Sequence, residues 1–251
     1  MQVLLEIETL TILQGLTLGL GGFIVGCLAG LSGIGGGLLL VPMMVGLGLT
    51  PIQAIGTSNF TKLLISASGS WHSWRTGSLD FQKVAILGFP ALICAQLRTY
   101  LASKLTTSLL WSGFAGLIFL NIALIWWRRK VEKIEPMGEY QTSLILERSL
   151  AGGAAGGLAG LFGVGGGIIL VPLQILLLRE TVEIAVQTSL GVVFFSSMSA
   201  CIGHSVNGNV MFLEGSVLGI AGAFGAQVGT RLLRRLSQQV TSKPFELFRY
   251  K

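Results

Sequence analysis

The chain has 251 residues, of which 51% are apolar and only 11% charged, with a formal net charge of +6 and a mean hydropathy of +0.75. A soluble domain of this length carries about a quarter charged residues, so a soluble fold is excluded. The excess of Lys and Arg sits at the ends of apolar segments, where membrane topology and anionic lipid explain it without nucleic acid.

Segment a spans 10–31, long enough to cross a hydrocarbon core about 30 Å thick. It is not expected to be a cleaved signal peptide, because Glu6 and Glu8 precede it in place of a basic start. Segment b, 36–49, is short and contains Pro42, and segment c, 51–74, is polar over Gln53, Thr57, Ser58, Asn59, Thr61 and Lys62. These are not expected to be two plain spans. A broken or re-entrant hairpin fits them, which is tolerated where protein or water surrounds it. Segments d, 81–102, and e, 106–127, are apolar again. A polar linker follows, and then a′, 146–162; b′, 166–178; c′, 182–205; and d′, 212–235.

The two sets of segments are copies. A-G-L-S-G-I-G-G-G-L-L-L-V-P-M at 29–43 returns as A-G-L-F-G-V-G-G-G-I-I-L-V-P-L at 159–173, with ten of fifteen positions identical. Gly22, Gly26 and Gly30 repeat as Gly152, Gly156 and Gly160. Each set leaves one helix face bare for close backbone approach. The expected division is a first membrane repeat at 1–130, a cytoplasmic linker at 131–145 and a second repeat at 146–251. The second copy lacks an equivalent of segment e. Leu236 to Lys251 is too short and polar to span, and a natural tail and a truncated reading frame both fit.

Either treatment of b and c gives the complete five-segment half an odd number of crossings, so the second half must lie inverted. The expected fold is an all-α integral membrane protein of two inverted repeats of transmembrane helices, with short broken or re-entrant helices. Basic residues follow segments c (Arg75, Lys83), e (Arg128, Arg129, Lys130, Lys133) and d′ (Arg231, Arg234, Arg235), while the loops at 163–167 and 206–211 have none. The positive side is cytoplasmic. This places the N-terminus outside the plasma membrane and the linker and C-terminal tail inside, with Arg98 and Lys104 as exceptions.

Polar groups within apolar segments are the candidate site. Gly35, Gly36 and Gly37, with Gly165, Gly166 and Gly167, open b and b′. Helix N-termini offer unpaired N–H groups and a positive dipole end, which suit an anion. Nucleotide binding is not supported, because no Lys-Ser/Thr and no strand accompany the run. Thr57 and Ser58 repeat as Thr188 and Ser189 within A-x-x-T-S. Such hydroxyls often bond only to their own backbone, but paired positions at a repeat interface are where secondary transporters bind. Lys62 has Val193 as its counterpart. An intramembrane cation marks a functional site or snorkels to an interface. Arg98 corresponds to Gly229, and Gln96 corresponds to Gln227. His72 and His204 fall one residue out of register, with no ligand spacing around them. No metal, cofactor or catalytic arrangement is expected, and the three cysteines read as packing residues.

These motifs resemble the TauE/SafE, or sulfite exporter, family of permeases. The resemblance rests on A-G-L-S-G-I-G-G-G-L-L-L-V-P with A-I-G-T-S and H-S-W-R-T-G-S-L-D-F, and on their second-half forms including A-V-Q-T-S and G-H-S-V-N-G-N-V. It implies a multi-pass permease for sulfite, organosulfonates or other small sulfur-containing or organic anions, commonly an exporter. The expected partners are a small anionic substrate and the lipid bilayer, with no nucleic acid; a homo-oligomer stays open. A non-transporting structural or assembly protein, or an inactive truncated permease, is the competing reading.

Overall fold

The computed structural model describes residues 12–77, 79–102, 166–177 and 180–247, and parts of 108–126 and 150–154. Seven helices are bounded: α1 (Ile12–Ser32), α2 (Gly37–Gly46), α3 (Pro51–Arg75), α4 (Phe81–Ala102), α5 (Gly167–Leu177), α6 (Val182–Val206) and α7 (Phe212–Leu247). The described residues contain no strand. Segment e and segment a′ are described only at scattered helical positions, and the linker at 131–145 lies outside the described residues.

Helix starts are set by local chemistry. Thr50 precedes Pro51, and its backbone N–H donates to Gln53 Oε1 at 3.1 Å, closing a capping box. Thr181, at the matching position, accepts from the Ile184 N–H at 3.4 Å. Asp80 Oδ1 accepts from the Gln82 and Lys83 N–H groups and starts α4.

Segment b is a short helix of 10 residues in the first half and 11 in the second. At 1.5 Å per residue each covers about 15 Å, roughly half of the hydrocarbon core. Segment c is one unbroken helix of 25 residues in both halves. The break expected for b and c is therefore confined to b. The d′ helix runs past the expected 235 to Leu247, while its membrane-competent stretch is Phe212–Leu236. Hydropathy ends where the span ends, but Ser, Gln and Thr do not stop a helix.

Packing between helices is built from backbone contact. A Cβ added to Gly22, Gly26 or Gly30 of α1 would fall on the Leu218, Gly222 or Ala226 carbonyl of α7. Gly152, the repeat counterpart of Gly22, meets the Leu87 carbonyl of α4 in the same way, and Leu87 is the counterpart of Leu218. Gly156 and Gly160 lie outside the described residues. In lipid such close approach replaces the hydrophobic drive that water would supply. On the opposite face of α1, Leu16, Leu20, Ile24 and Leu28 are exposed and apolar, as a lipid-facing stripe must be.

The halves are related by inversion. The α3 Gly56 meets His204 near the end of α6, and Gly69 meets Leu190 near its start, so these equivalent helices run antiparallel. Two hydrogen bonds repeat with the same offset: Ser68 Oγ donates to the Ala223 carbonyl at 2.8 Å, and Ser199 Oγ donates to the Leu92 carbonyl at 3.0 Å. The first joins α3 to α7, and the second joins α6 to α4. Arg75, Lys83 and the Arg231–Arg235 stretch therefore share one end of the bundle.

Candidate functional site

The glycine loop of the first half reverses the chain between α1 and α2. Gly33, Gly35 and Gly36 have φ values of 70°, 77° and 78°, in the left-handed region, where a side chain is disfavoured. Gly36 caps α2, and its carbonyl accepts from the Leu39 and Leu40 N–H groups, both at 3.1 Å. Gly166 does the same for Ile169 and Leu170 at 3.2 and 2.9 Å, so both short helices begin alike. Their first N–H groups have no intrahelical partner by construction. The start of α5 touches the first loop: a Cβ on Gly167 would fall on the Gly33 carbonyl. Gly163 and Gly165 lie outside the described residues.

Lys62 lies against this loop. A Cβ at Gly35 would stand 3.8 Å from Lys62 Cδ and 2.8 Å from Val193 Cγ1. A lysine and its repeat counterpart thus flank one glycine. Lys62 is 0% exposed, and Nζ donates to Asn59 Oδ1 at 2.7 Å. Asn59 Nδ2 in turn donates to the Ile55 carbonyl at 3.0 Å. The ammonium is held inside the bundle at mid-helix, so it does not snorkel. Burying a cation costs several kcal/mol unless hydrogen bonds and charge compensate it.

The four candidate hydroxyls are all buried, and the three with described partners use different ones. Thr57 Oγ1 accepts the Met211 N–H at 3.0 Å, which ties it to the start of α7. Ser58 Oγ donates back to the Ile55 carbonyl at 2.8 Å. Thr188 is buried on α6. Ser189 Oγ accepts from Gln174 Nε2 of α5 at 2.9 Å. On α6, a Cβ at Gly33 would lie 2.8 Å from Val186 Cα, and Val193 faces Gly35. Ser189 falls between them at helical spacing, on the face turned to the glycine loop.

Sequence reasoning overlooked Asn59 as the partner of Lys62, the Ser68 and Ser199 cross-links, and Gln174. Gln174 is the only polar side chain in α5 and stands where α2 has Met44, a signal the repeat offset carried. Gln227 donates to Ser68 Oγ at 3.2 Å, across the α3–α7 contact. The side chains of its counterpart Gln96 and of Arg98 lie outside the described residues. His204 is fully buried and His72 half-buried. Among the described residues no cluster of His, Cys, Asp or Glu could hold a metal ion. An apolar cleft of about 330 Å³, lined by Trp71, Trp74, Phe81 and Phe194 among others, includes none of the four hydroxyls.

Apolar outer faces, buried polar groups and two inverted halves, with the second half-length helix starting against the first glycine loop, are the features of a membrane transporter of the inverted-repeat type. The profile of the family described as "Sulfite exporter TauE/SafE" matches residues 18–248. The chain belongs to that family. It is 29% identical over 241 residues to the probable membrane transporter protein YunE of Bacillus subtilis, covering 86% of this chain and 87% of that one. A probable membrane transporter protein of Methanocaldococcus jannaschii is 28% identical over 210 residues, covering 81% and 76%. The Bacillus subtilis probable membrane transporter protein YdhB is 26% identical over 220 residues, covering 87% and 90%. No solved structure matches the chain.

Proposed function

We propose that the protein is a secondary transporter that exports small anions: sulfite, organosulfonates or related sulfur-containing or organic anions. The observation that carries this reading is the burial of Lys62 against Gly35 at the start of α2. An anion leaving water for the membrane interior needs compensation of its charge. A cation beside the start of α2 supplies it, with Thr57, Ser58, Thr188 and Ser189 as additional polar groups on α3 and α6. The family description names sulfite, which makes it the first anion to test. By the positive-inside rule the end carrying Arg75, Lys83 and Arg231–Arg235 faces the cytoplasm of a plasma membrane.

The test is flux of radiolabelled sulfite from vesicles containing the purified protein. Lys62→Met is expected to lower flux by about tenfold or more while leaving insertion intact, as loss of a charge-assisted contact does. Lys62→Arg is expected to keep part of it, since the charge remains and the geometry changes. Wild-type flux in Lys62→Met would overturn the assignment of the lysine to the anion site.

A further inference from the structure

The two repeat-equivalent serines Ser58 and Ser189 use their hydroxyls in opposite senses. Ser58 spends its proton on the Ile55 carbonyl, one turn back along α3. Ser189 accepts an N–H from Gln174 at 2.9 Å. The amide orientation of Gln174 is fixed by chemistry. The same nitrogen lies 3.3 Å from the Ala185 carbonyl, which can only accept. That contact also occupies the Ala185 carbonyl, to which a serine at position 189 would otherwise donate back.

The chain contains the same relay in complete form elsewhere. Gln227 Nε2 donates to Ser68 Oγ at 3.2 Å, and Ser68 passes its own proton to the Ala223 carbonyl at 2.8 Å. At Ser189 the relay stops: among the described residues Gln174 supplies its hydrogen bond and no acceptor takes its proton. Ser189 lies on the α6 face between Val186, which meets Gly33, and Val193, which meets Gly35. Gln174 itself is 0% exposed, and its Oε1 is buried with no hydrogen-bond partner among the described residues. Packing alone does not account for such a residue, since the matching place in α2 is filled by Met44.

We propose that Gln174 is a positioning residue that turns Ser189 into a hydrogen-bond donor aimed at the glycine loops, so that a small oxyanion, sulfite or a sulfonate, completes the relay. The proposal rests on the anion-site reading above and adds a direction to it. The second half contributes an oriented neutral donor, and the first half contributes the cation Lys62. A glutamine can do this because its amide donates to the serine oxygen, leaving the O–H as the remaining polar hydrogen. Hydrogen bonding polarises the hydroxyl and strengthens what it gives onward.

The experiment is sulfite efflux from vesicles over a range of sulfite concentrations, with wild type, Gln174→Met, Ser189→Ala and the double variant at matched protein levels. Gln174→Met is expected to raise the half-saturating sulfite concentration by about tenfold, the usual loss for one hydrogen bond to a charged ligand, with maximal flux little changed. Ser189→Ala is expected to do the same, and the double variant to be no worse than Ser189→Ala alone. Independent multiplication of the two effects would mean that Gln174 does not act through Ser189 and would overturn the proposal. Gln174→Glu keeps the size but, when ionised, has no N–H to give. At a pH where it is ionised it is expected to weaken sulfite at least as much, and wild-type affinity there also overturns the proposal. Lys62→Met in the same vesicles separates the two levels. Unchanged flux there removes Lys62 from the anion site and overturns the pairing of cation and oriented donor, while the Gln174 and Ser189 variants still decide the relay. Impaired flux there with an unaltered Gln174→Met removes only the part assigned to Gln174.

Discussion

Gly35 shows how a single position can be fixed by backbone and neighbours together. Its φ of 77° lies in the left-handed region, and a Cβ there would sit 2.8 Å from Val193 Cγ1. Gly35→Ala therefore combines a conformational cost of about 1–2 kcal/mol with a clash against the side chain that shares the glycine with Lys62. Heating the purified variant should show earlier unfolding than Gly46→Ala, which meets open space. Equal stability of the two would show that the loop relaxes freely. Gly35 and Lys62 stood out in sequence, because a repeated glycine run and a lysine whose repeat counterpart is Val193 both contrast with apolar surroundings; that the two meet was not legible. Gln174 was not legible as a site residue. Its role depends on which atom of Ser189 it faces, and that is a matter of helix rotation which hydropathy does not encode.

At the scale of elements, the α1–α7 contact is the firmest test of the packing. Gly26 sits on the Gly222 backbone, so any larger residue must push helices apart. Gly26→Leu should destabilise the bundle by about 1–3 kcal/mol or more, because backbone cannot yield as side chains do. Ile24→Ala, on the exposed face, should have little effect. The measurement is the fraction of protein that elutes folded after heating in detergent. Similar losses in both would place the glycine stripe outside the interface. Helix limits were legible to within a few residues for α1 to α6, because apolar stretches and the polar turns between them mark them. The extension of α7 to Leu247 was not. Polarity marks the end of a membrane span, and the helix itself needs a stronger stop.

At the scale of the whole molecule, the antiparallel course of α3 and α6 places the α3–α4 turn and the α6–α7 turn at opposite ends. Single cysteines at Gln82 and Asn207, both exposed, in a protein freed of Cys27, Cys94 and Cys201, report this in cells. Asn207→Cys should react with an impermeant maleimide from outside, and Gln82→Cys only after permeabilisation. Labelling of both from one side would be incompatible with inversion; a reversed pattern would keep inversion and reverse the orientation. The inversion was legible from odd segment counts and alternating basic loops. The exchange of partners between halves was not, because a repeat says which segments are alike and nothing about which ones touch.

That exchange has a consequence in time. Gly22 on α1 is covered by Leu218 on α7, about 200 residues further along the chain, and synthesis proceeds at roughly 5–20 residues per second. The bare face of α1 therefore waits roughly 10–40 s in the bilayer before its backbone partner exists. During that interval glycine packing can draw in other helices as readily as the right one. Assembly of this protein is in that sense a problem of delay: the contact that closes the first half is delivered by the second.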